Sequence, residues 1–227
     1  MRYSINRQDK TISLVEGGSM QELSKTQRGE VDFVKVHHPM KQIQWAIKYL
    51  NIWEKRSKEL PFYTIGKSAY LDGDTPEYHD KIGYLNDRLF SFSPALYMYV
   101  LAALTKHFME TVSLDKDLAF PGFHIFVNDP ILLTTAGNWH VDLPHETLGL
   151  GDKDPYAFTL AVEMPQGGGG IDFHTGEYVE HKVGYMMVHD GKTAHRISAL
   201  KEACGGRNRI TLQGHIIRKE GKLVSFW

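Results

Sequence analysis

The hydrophobic pattern of this chain changes character near Phe120, from spacings of three and four to strict alternation. In the first half, a helix is predicted over Lys41 to Leu60, because apolar residues recur there at helical intervals. These residues are Ile43, Ile47, Leu50 and Trp53. Pro39 and Pro61 are expected to mark the two ends of this helix.

A second helix is predicted to begin at Ser93-Pro94, with serine as the N-cap and proline at the first helical position. Its apolar stripe consists of Tyr97, Leu101, Leu104 and Phe108, and it is expected to end near Ser113. The pattern between 61 and 92 is mixed, with turn signals at Asp72-Gly73-Asp74 and Thr75-Pro76. Residues 1–35 are polar and are interpreted as strands or loops.

From Phe120 onward the pattern predicts strands. Phe123 to Val127 is short and apolar, and apolar and other residues alternate from Phe158 to Met164 with a period of two. In the last predicted strand, Ile210, Leu212 and Ile216 share one face. The opposite face is polar, formed by Arg209, Thr211, Gln213 and His215. Such a face on a barrel strand indicates that the barrel encloses a polar site.

Three residues on the strand-rich half form a candidate metal site: His140, Asp142 and His195. Residues at i and i+2 of a strand leave the same face, so His140 and Asp142 can point at one metal. Two histidines and one carboxylate are the ligand set that leaves three positions open on ferrous iron. The sequence therefore predicts a non-haem iron site.

Arg209 follows the last of these ligands by 14 positions and supplies a fixed cation beside them. A guanidinium binds a carboxylate through two parallel hydrogen bonds, so a cosubstrate with a carboxylate would fit there. Arg207 is the competing candidate, because it shares the same face of a regular strand.

The order of these motifs resembles the double-stranded β-helix core of the iron(II)- and 2-oxoglutarate-dependent oxygenases. The resemblance covers roughly residues 120 to 220 and runs through His140-Val141-Asp142, an apolar strand, a Gly-rich turn, a second strand, His195-Arg196-Ile197 and Arg209-Ile210-Thr211-Leu212. The apolar strand is 158–165, the turn and its strand are 167–173, and the second strand is 183–188.

This resemblance implies a mostly β fold with flanking α-helices, in which a jelly-roll or cupin-like core over 120–227 carries a helical part packed on the barrel. We expect a single oxygenase domain over 1–227, with 1–119 as an N-terminal α/β extension. The implied cofactors are Fe(II), 2-oxoglutarate as cosubstrate and O2. His140, Asp142 and His195 would hold the metal, while Arg209 and Thr211 would bind the distal carboxylate of 2-oxoglutarate.

The implied reaction is hydroxylation of an unactivated C–H bond, with release of succinate and CO2. In the related halogenases a glycine or alanine replaces the ligand carboxylate, and chloride takes its place. Asp142 is present here, which favours hydroxylation. Desaturation, demethylation and cyclisation stay open, because the same metal chemistry supports each of them.

Other residues near the site have weaker signals. His145, His174, His181 and His189 compete as metal ligands, and His189 is the nearest rival of His195 but precedes an Asp-Gly turn pair. Arg196 is interpreted as structural. Trp139 is a candidate substrate contact, together with the Gly-rich loop from Leu143 to Tyr156, which is either a lid or an ordinary connection.

Composition and charge indicate which binding partners, covalent cross-links and cellular locations fit the chain. The chain has 227 residues, 42% hydrophobic and 23% charged, with a net charge of -1, which argues against nucleic acid or an anionic membrane as the main partner. Cys204 is the one cysteine, so an intrachain disulfide is impossible. No apolar leader is visible, and the longest apolar stretch, around Ala95 to Leu104, is too short for a bilayer. A cytoplasmic location is expected.

Three functions are consistent with these motifs. The first is hydroxylation of a free small molecule, such as an amino acid or a natural-product intermediate. The second is hydroxylation of a peptide or protein, which needs an open groove. The third is a cupin-like metal-binding module without turnover, which keeps the three ligands but does not need Arg209.

Overall fold

The computed structural model describes residues 2–6, 11–15, 31–50, 52–73, 75–150, 155–166, 168–201 and 205–227. Three parts of the chain named in the sequence analysis therefore lie outside the described residues: Cys204, Gly167, and residues 151–154 of the loop from Leu143 to Tyr156. The helices are α1 (Met40–Ile47), α2 (Ala69–Asp72), α3 (Pro76–Phe92), α4 (Pro94–Phe108) and α5 (Pro144–Thr147), with a single 3-10 turn at Pro130–Leu133.

The strands pair mainly in antiparallel fashion, which agrees with the predicted mostly β architecture with flanking helices. In chain order they are β1 (Arg2–Asn6), β2 (Thr11–Val15), β3 (Val31–Lys35), β4 (Glu54–Lys55), β5 (Phe62–Ile65), β6 (Val112–Leu114), β7 (Gly122–Phe126), β8 (Tyr156–Glu163), β9 (Gly170–Phe173), β10 (Tyr178–Glu180), β11 (Tyr185–Asp190), β12 (His195–Ile197), β13 (Arg209–Lys219) and β14 (Lys222–Phe226).

The first predicted helix is shorter than the sequence indicated. It begins at Met40 and ends at Ile47, where the indole Nε1 of Trp53 donates to the Ile47 carbonyl at 3.1 Å. Glu54–Lys55 then pairs with β5 as a strand. The apolar residues Leu50 and Trp53 still pack against the core, but from an irregular segment. Tertiary packing explains the apolar spacing that the prediction assigned to a longer helix.

Helix α3 was missed by the prediction, which treated 61–92 as mixed. It begins after Thr75 with proline at its N-terminus and buries Tyr78, Ile82 and Leu89 at spacings of four and seven. The predicted second helix is present as α4, with Pro94 in its first turn, but it ends at Phe108 instead of near Ser113. Met109 follows in the left-handed region, with φ of 57°.

Two sheets form the core of the molecule. The larger sheet has the order β3-β11-β8-β13-β7-β5-β4, with β14 beside β13 and β6 beside β14. The smaller sheet has the order β10-β9-β12. Isoleucine, phenylalanine and valine residues of the smaller sheet pack against Phe33 and Met187 of the larger one. The two sheets therefore face each other, as in a jelly roll.

The helices cover the outer face of the larger sheet. Side chains from α1 and α4, such as Ile43, Ile47 and Leu104, join strand residues such as Leu160 and Leu212 in the main hydrophobic cluster. This confirms the predicted packing of the helical part on the barrel. It also explains why β8 is buried on both faces: one face meets the helices, and the other faces the space between the sheets.

Among the described residues, no single helix is long and apolar enough to cross a membrane. Tyr78–Phe92 and Pro94–Phe108 meet the length and composition only when taken as a pair, and that pair is bent by 94°.

A buried ion cluster fixes α2 beside the space between the sheets. Asp72 accepts from both terminal nitrogens of Arg56 at 2.8 Å, from Lys67 at 3.1 Å and from the Ser68 backbone N–H at 3.0 Å. Burial acts to raise the pKa of Asp72, but the hydrogen bonds from Arg56, Ser68 and Lys67 outweigh it and lower that pKa.

Asp72→Asn is expected to destabilise the protein by about 3–5 kcal/mol, because it leaves two buried cations with fewer partners. The measurement is the urea midpoint of unfolding. Glu110→Gln is the matched control, since Glu110 forms an exposed pair with Arg218 and should have little effect. A similar midpoint for both variants would contradict this role of Asp72.

Candidate active site

His140, Asp142 and His195 come together at one end of the space between the sheets. One ligand atom from each lies within 4.8 Å of the others. Nε2 of His195 is 3.3 Å from Oδ2 of Asp142, and Nε2 of His140 is 3.8 Å from Oδ1. Bonds of about 2 Å to one metal place neighbouring ligand atoms roughly 3 Å apart, so this spacing fits a divalent ion.

The ring orientation of both histidines also fits a metal. Nδ1 of His140 lies 2.9 Å from the Asn138 carbonyl, and Nδ1 of His195 lies 2.9 Å from the Thr193 carbonyl. A carbonyl only accepts hydrogen bonds, so each Nδ1 carries the proton. Each Nε2 is then left with a lone pair directed at the cluster, which is the arrangement of metal-bound histidines.

Backbone contacts set the positions of the ligands. His140 and His195 form an isolated antiparallel bridge, in which each backbone N–H donates to the carbonyl of the other at 3.0 and 2.9 Å. The Asp142 N–H donates to the Gly191 carbonyl at 2.7 Å. The His-x-Asp segment is therefore held in an extended conformation by one bridge, although it is not a regular strand.

The carboxylate stays ionised in this site. Burial acts to raise the pKa of Asp142, but the hydrogen bond with His195 and the nearby His215 hold it well below its usual value. Burial likewise acts to lower the pKa of His195, and the interaction with Asp142 outweighs it, so that pKa is raised. A metal bound at this cluster would therefore have to displace the proton that Asp142 stabilises on His195.

We predict that metal affinity falls as the pH falls through the raised pKa of His195. A metal must displace that proton, so the apparent affinity should drop by about tenfold per pH unit for each proton displaced. The measurement is a competition titration of Zn(II) against a chelating indicator at several pH values below about 8. An affinity independent of pH over this range would contradict the coupling.

Arg209 lies at the start of β13 and borders the same cavity as the three candidate metal ligands. It is 3% exposed, and none of its three guanidinium nitrogens has a hydrogen-bond partner among the described residues. The guanidinium carbon lies 5.6 Å from the centre of the Phe126 ring. Burial lowers the pKa of Arg209 to about 10, so it remains a cation at neutral pH. A buried cation without a partner is energetically costly, and an anionic ligand that binds beside it would remove this cost.

The residues predicted to bind a cosubstrate, on or just before β13, differ in whether they border the cavity. Arg209, Gln213 and His215 border the cavity, while Ile210, Leu212 and Ile216 lie in the core, as predicted. The Thr211 hydroxyl is buried and accepts from Nε2 of Gln213 at 3.1 Å, but Thr211 does not border the cavity. Arg207, the competing candidate, precedes the strand and is exposed.

A single cavity of about 600 Å3 contains both the metal-ligand cluster and Arg209 among its bordering residues. This volume lies within the range of about 300–1,000 Å3 that small-molecule sites occupy. Two histidines, one carboxylate and a separate buried cation around one partly open cavity could hold a metal and an anionic cosubstrate.

Comparison with solved structures identifies the fold. An N-substituted L-amino acid dioxygenase from Burkholderia ambifaria AMMD aligns with 87% of this chain and 86% of its own, at 11% identity and a TM-score of 0.52. Its structure in complex with alpha-KG aligns over the same shares, at 10% identity and a TM-score of 0.50. This chain has the fold of the 2-oxoglutarate-dependent oxygenases.

More distant similarities extend to a 2OG-Fe(II) oxygenase family oxidoreductase from Burkholderia pseudomallei. It shares 11% identity and a TM-score of 0.49, with 82% of this chain and 81% of that chain covered. No family model matches the chain, and a search of curated proteins finds no match. The alignment with the Burkholderia ambifaria enzyme confirms the predicted double-stranded β-helix as the fold of this chain.

Within this oxygenase fold, the competing histidines do not join the ligand cluster of the described residues. His189 is buried on β11 and packs edge-on against the His195 ring at 4.7 Å, with its Nδ1 2.9 Å from the Asp190 carbonyl. His145 and His181 are buried elsewhere, and His174 is exposed. His189 thus contacts His195 without being a member of the candidate metal-ligand cluster.

Trp139 lies outside the cavity. Its side chain is 43% exposed, with Arg196 over its ring at 4.6 Å and His174 edge-on at 5.3 Å. Arg196 also pairs with Asp172 on the neighbouring strand at 3.1 Å, in agreement with the structural role predicted for it. The loop from Leu143 to Tyr156, predicted to be either a lid or an ordinary connection, is closer to the site, since Leu143, Pro144 and Thr147 border the cavity.

One pair at the cavity was not found from the sequence. The hydroxyl of Tyr70, on α2, lies 2.6 Å from Nε2 of His124, on β7, and both residues border the cavity. His124 had a usable signal, as a polar residue between Phe123 and Ile125 in an apolar strand. Tyr70 had none, because long-range contacts such as the ion cluster at Asp72 and the Ala69–Trp227 backbone hydrogen bond place α2 beside β7.

Proposed function

We propose that this protein is an iron(II)- and 2-oxoglutarate-dependent oxygenase that hydroxylates an unactivated C–H bond of a small molecule. The observation that carries the proposal is the unpaired, buried guanidinium of Arg209 in the same cavity as the two-histidine, one-carboxylate cluster. A cupin-like module that only bound a metal would not need this cation, and leaving it buried would destabilise such a module.

In this proposal the chain's own residues hold the reactants. His140, Asp142 and His195 hold the metal through two Nε2 atoms and a carboxylate, and Arg209 binds the distal carboxylate of 2-oxoglutarate. The Thr211 hydroxyl accepts a hydrogen bond from Gln213, which borders the cavity beside that cosubstrate. The apolar residues that border the cavity reduce the access of water to the reacting groups. When bound, iron would supply the redox chemistry by which O2 is consumed: one oxygen atom enters succinate as 2-oxoglutarate loses CO2, and the other is inserted into the substrate.

Asp142 favours hydroxylation over halogenation within this proposal, because its carboxylate occupies the position that chloride would need. The substrate candidates are free small molecules. An amino acid is one candidate, since the aligned Burkholderia enzyme is described as acting on N-substituted L-amino acids. Peptides are the alternative.

The test is turnover of 2-oxoglutarate to succinate by iron-loaded protein in oxygen, with and without libraries of small molecules and peptides. The proposal expects succinate formation that a library member stimulates, and a product heavier by one oxygen atom. Metal binding without 2-oxoglutarate binding or succinate would leave the metal-binding module as the better account. Stimulation by peptides alone would assign the chain to peptidyl hydroxylation.

A further inference from the structure

The cavity has few charges to offer a substrate. Among its described bordering residues, only Asp142 and Arg209 carry a fixed charge. In the proposed function, Asp142 is a metal ligand and Arg209 binds 2-oxoglutarate. Once both are engaged, no fixed charge is left on the described walls for a third molecule.

The remaining histidines on these walls do not replace the missing charges. His124 and His215 are 5% and 6% exposed, and burial lowers the pKa of each, so both are neutral at neutral pH. His189 directs its Nδ1 to the Asp190 carbonyl. These residues offer hydrogen bonds to a ligand, but they do not offer a compensating charge.

An apolar wall occupies one side of the cavity. The rings of Phe62 and Phe126 stack with their centres 4.7 Å apart and their planes 10° apart, and Leu132 and Leu200 extend the same surface. A hydrocarbon body can be desolvated against this wall favourably. A carboxylate or an ammonium group would lose its hydration there without gaining a partner, which is costly.

The Tyr70–His124 pair is the polar feature of this side. The Phe62 ring packs edge-on against the His124 ring at 5.0 Å, so the pair is continuous with the apolar wall. Nδ1 of His124 is buried without a partner among the described residues. In either tautomer, the 2.6 Å contact leaves the Tyr70 oxygen with hydrogen-bonding capacity, as a donor or as an acceptor.

We propose that the part of the substrate that enters this cavity is uncharged and mainly apolar, and that Tyr70 binds a hydroxyl or carbonyl oxygen on it. This inference rests on the proposed function, because it assigns Asp142 and Arg209 to the metal and the cosubstrate. It narrows the substrate class, because the described walls offer no charged partner for the ammonium and carboxylate groups of a free amino acid.

The test compares three probes that share one carbon skeleton: cyclohexylmethanol, cyclohexanecarboxylate and cyclohexylmethylammonium. The protein is loaded with Zn(II), which does not support turnover, and saturated with 2-oxoglutarate, which occupies Arg209 so that the carboxylate probe cannot bind there. Affinities are measured by saturation-transfer NMR titration. Tyr70→Phe is the test variant, and Tyr49→Phe is the matched control, since Tyr49 is 72% exposed and does not border the cavity.

The expected result is that the alcohol binds at least about tenfold more tightly than either charged probe. Tyr70→Phe should weaken the alcohol by about three- to tenfold, the effect of one neutral hydrogen bond, while Tyr49→Phe changes nothing. Tighter or equal binding of a charged probe, absence of alcohol binding, or an unchanged affinity in Tyr70→Phe would overturn the inference.

Calorimetric binding of Zn(II) and 2-oxoglutarate, measured first on the same sample, separates the two proposals. If neither ligand binds, the proposed function fails. If both bind and the charged probes are preferred, only the inference about the substrate fails.

Discussion

Arg209→Met is expected to abolish 2-oxoglutarate binding and, at the same time, to raise the melting temperature of the ligand-free protein. Loss of a desolvated, charge-assisted contact typically costs about 2–5 kcal/mol, which is roughly 30-fold or more in affinity. The ligand-free protein buries this cation without a partner, and replacing a buried charge by an apolar residue of similar length stabilises proteins by about 1–4 kcal/mol.

The two opposite effects make this variant informative. Calorimetric titration with 2-oxoglutarate measures the first, and thermal unfolding without ligand measures the second, with about 2–4 °C expected per kcal/mol. Arg207→Met is the matched control: Arg207 is exposed, so neither quantity should change much. If Arg207→Met removed binding while Arg209→Met retained it, the choice between the two arginines would be wrong.

Asp142→Ala is expected to weaken metal binding by more than about a hundredfold. Loss of a residue that merely orients a ligand costs about 10- to 100-fold in affinity, and a direct ligand should cost more. Asp142 is also the one carboxylate in the cluster, so its loss leaves two neutral imidazoles to hold a dication. The measurement is Zn(II) or Fe(II) stoichiometry and affinity under anaerobic conditions.

Asp172→Asn provides the control for this experiment. Asp172 pairs with Arg196 on the smaller sheet and does not border the cavity, so metal affinity should be unchanged. Equal metal affinities for wild type and Asp142→Ala would remove the carboxylate from the site. A loss in both variants would instead indicate that the smaller sheet had been disturbed.

The parts of the site that could be predicted from sequence are those carried by short, ordered motifs. The two faces of β13 followed from alternation, since Ile210 and Leu212 lie in the core while Arg209 and His215 border the cavity. The His-x-Asp spacing placed two of the predicted metal ligands, His140 and Asp142, on one segment of the chain. Arg207 and Arg209 share an alternation pattern, and only the start of the strand at Arg209 separates them.

Contacts between distant segments account for what the sequence could not provide. Tyr70 and His124 are 54 positions apart, and the buried ion cluster around Asp72 brings them together. The end of α1 depends on Trp53, whose side chain satisfies a carbonyl at Ile47. Thr211 was predicted to share a strand face with Arg209, yet it is buried and does not border the cavity. Periodicity carries no information about any of these contacts.

The backbone bridge between His140 and His195 has a consequence for handling the protein. Because two hydrogen bonds already join the ligand segments, the chain does not have to organise itself around the ion, as zinc fingers do. We expect that a chelator can strip the native metal while circular dichroism stays unchanged. The emptied protein should then accept cobalt or manganese as a spectroscopic reporter without any refolding step.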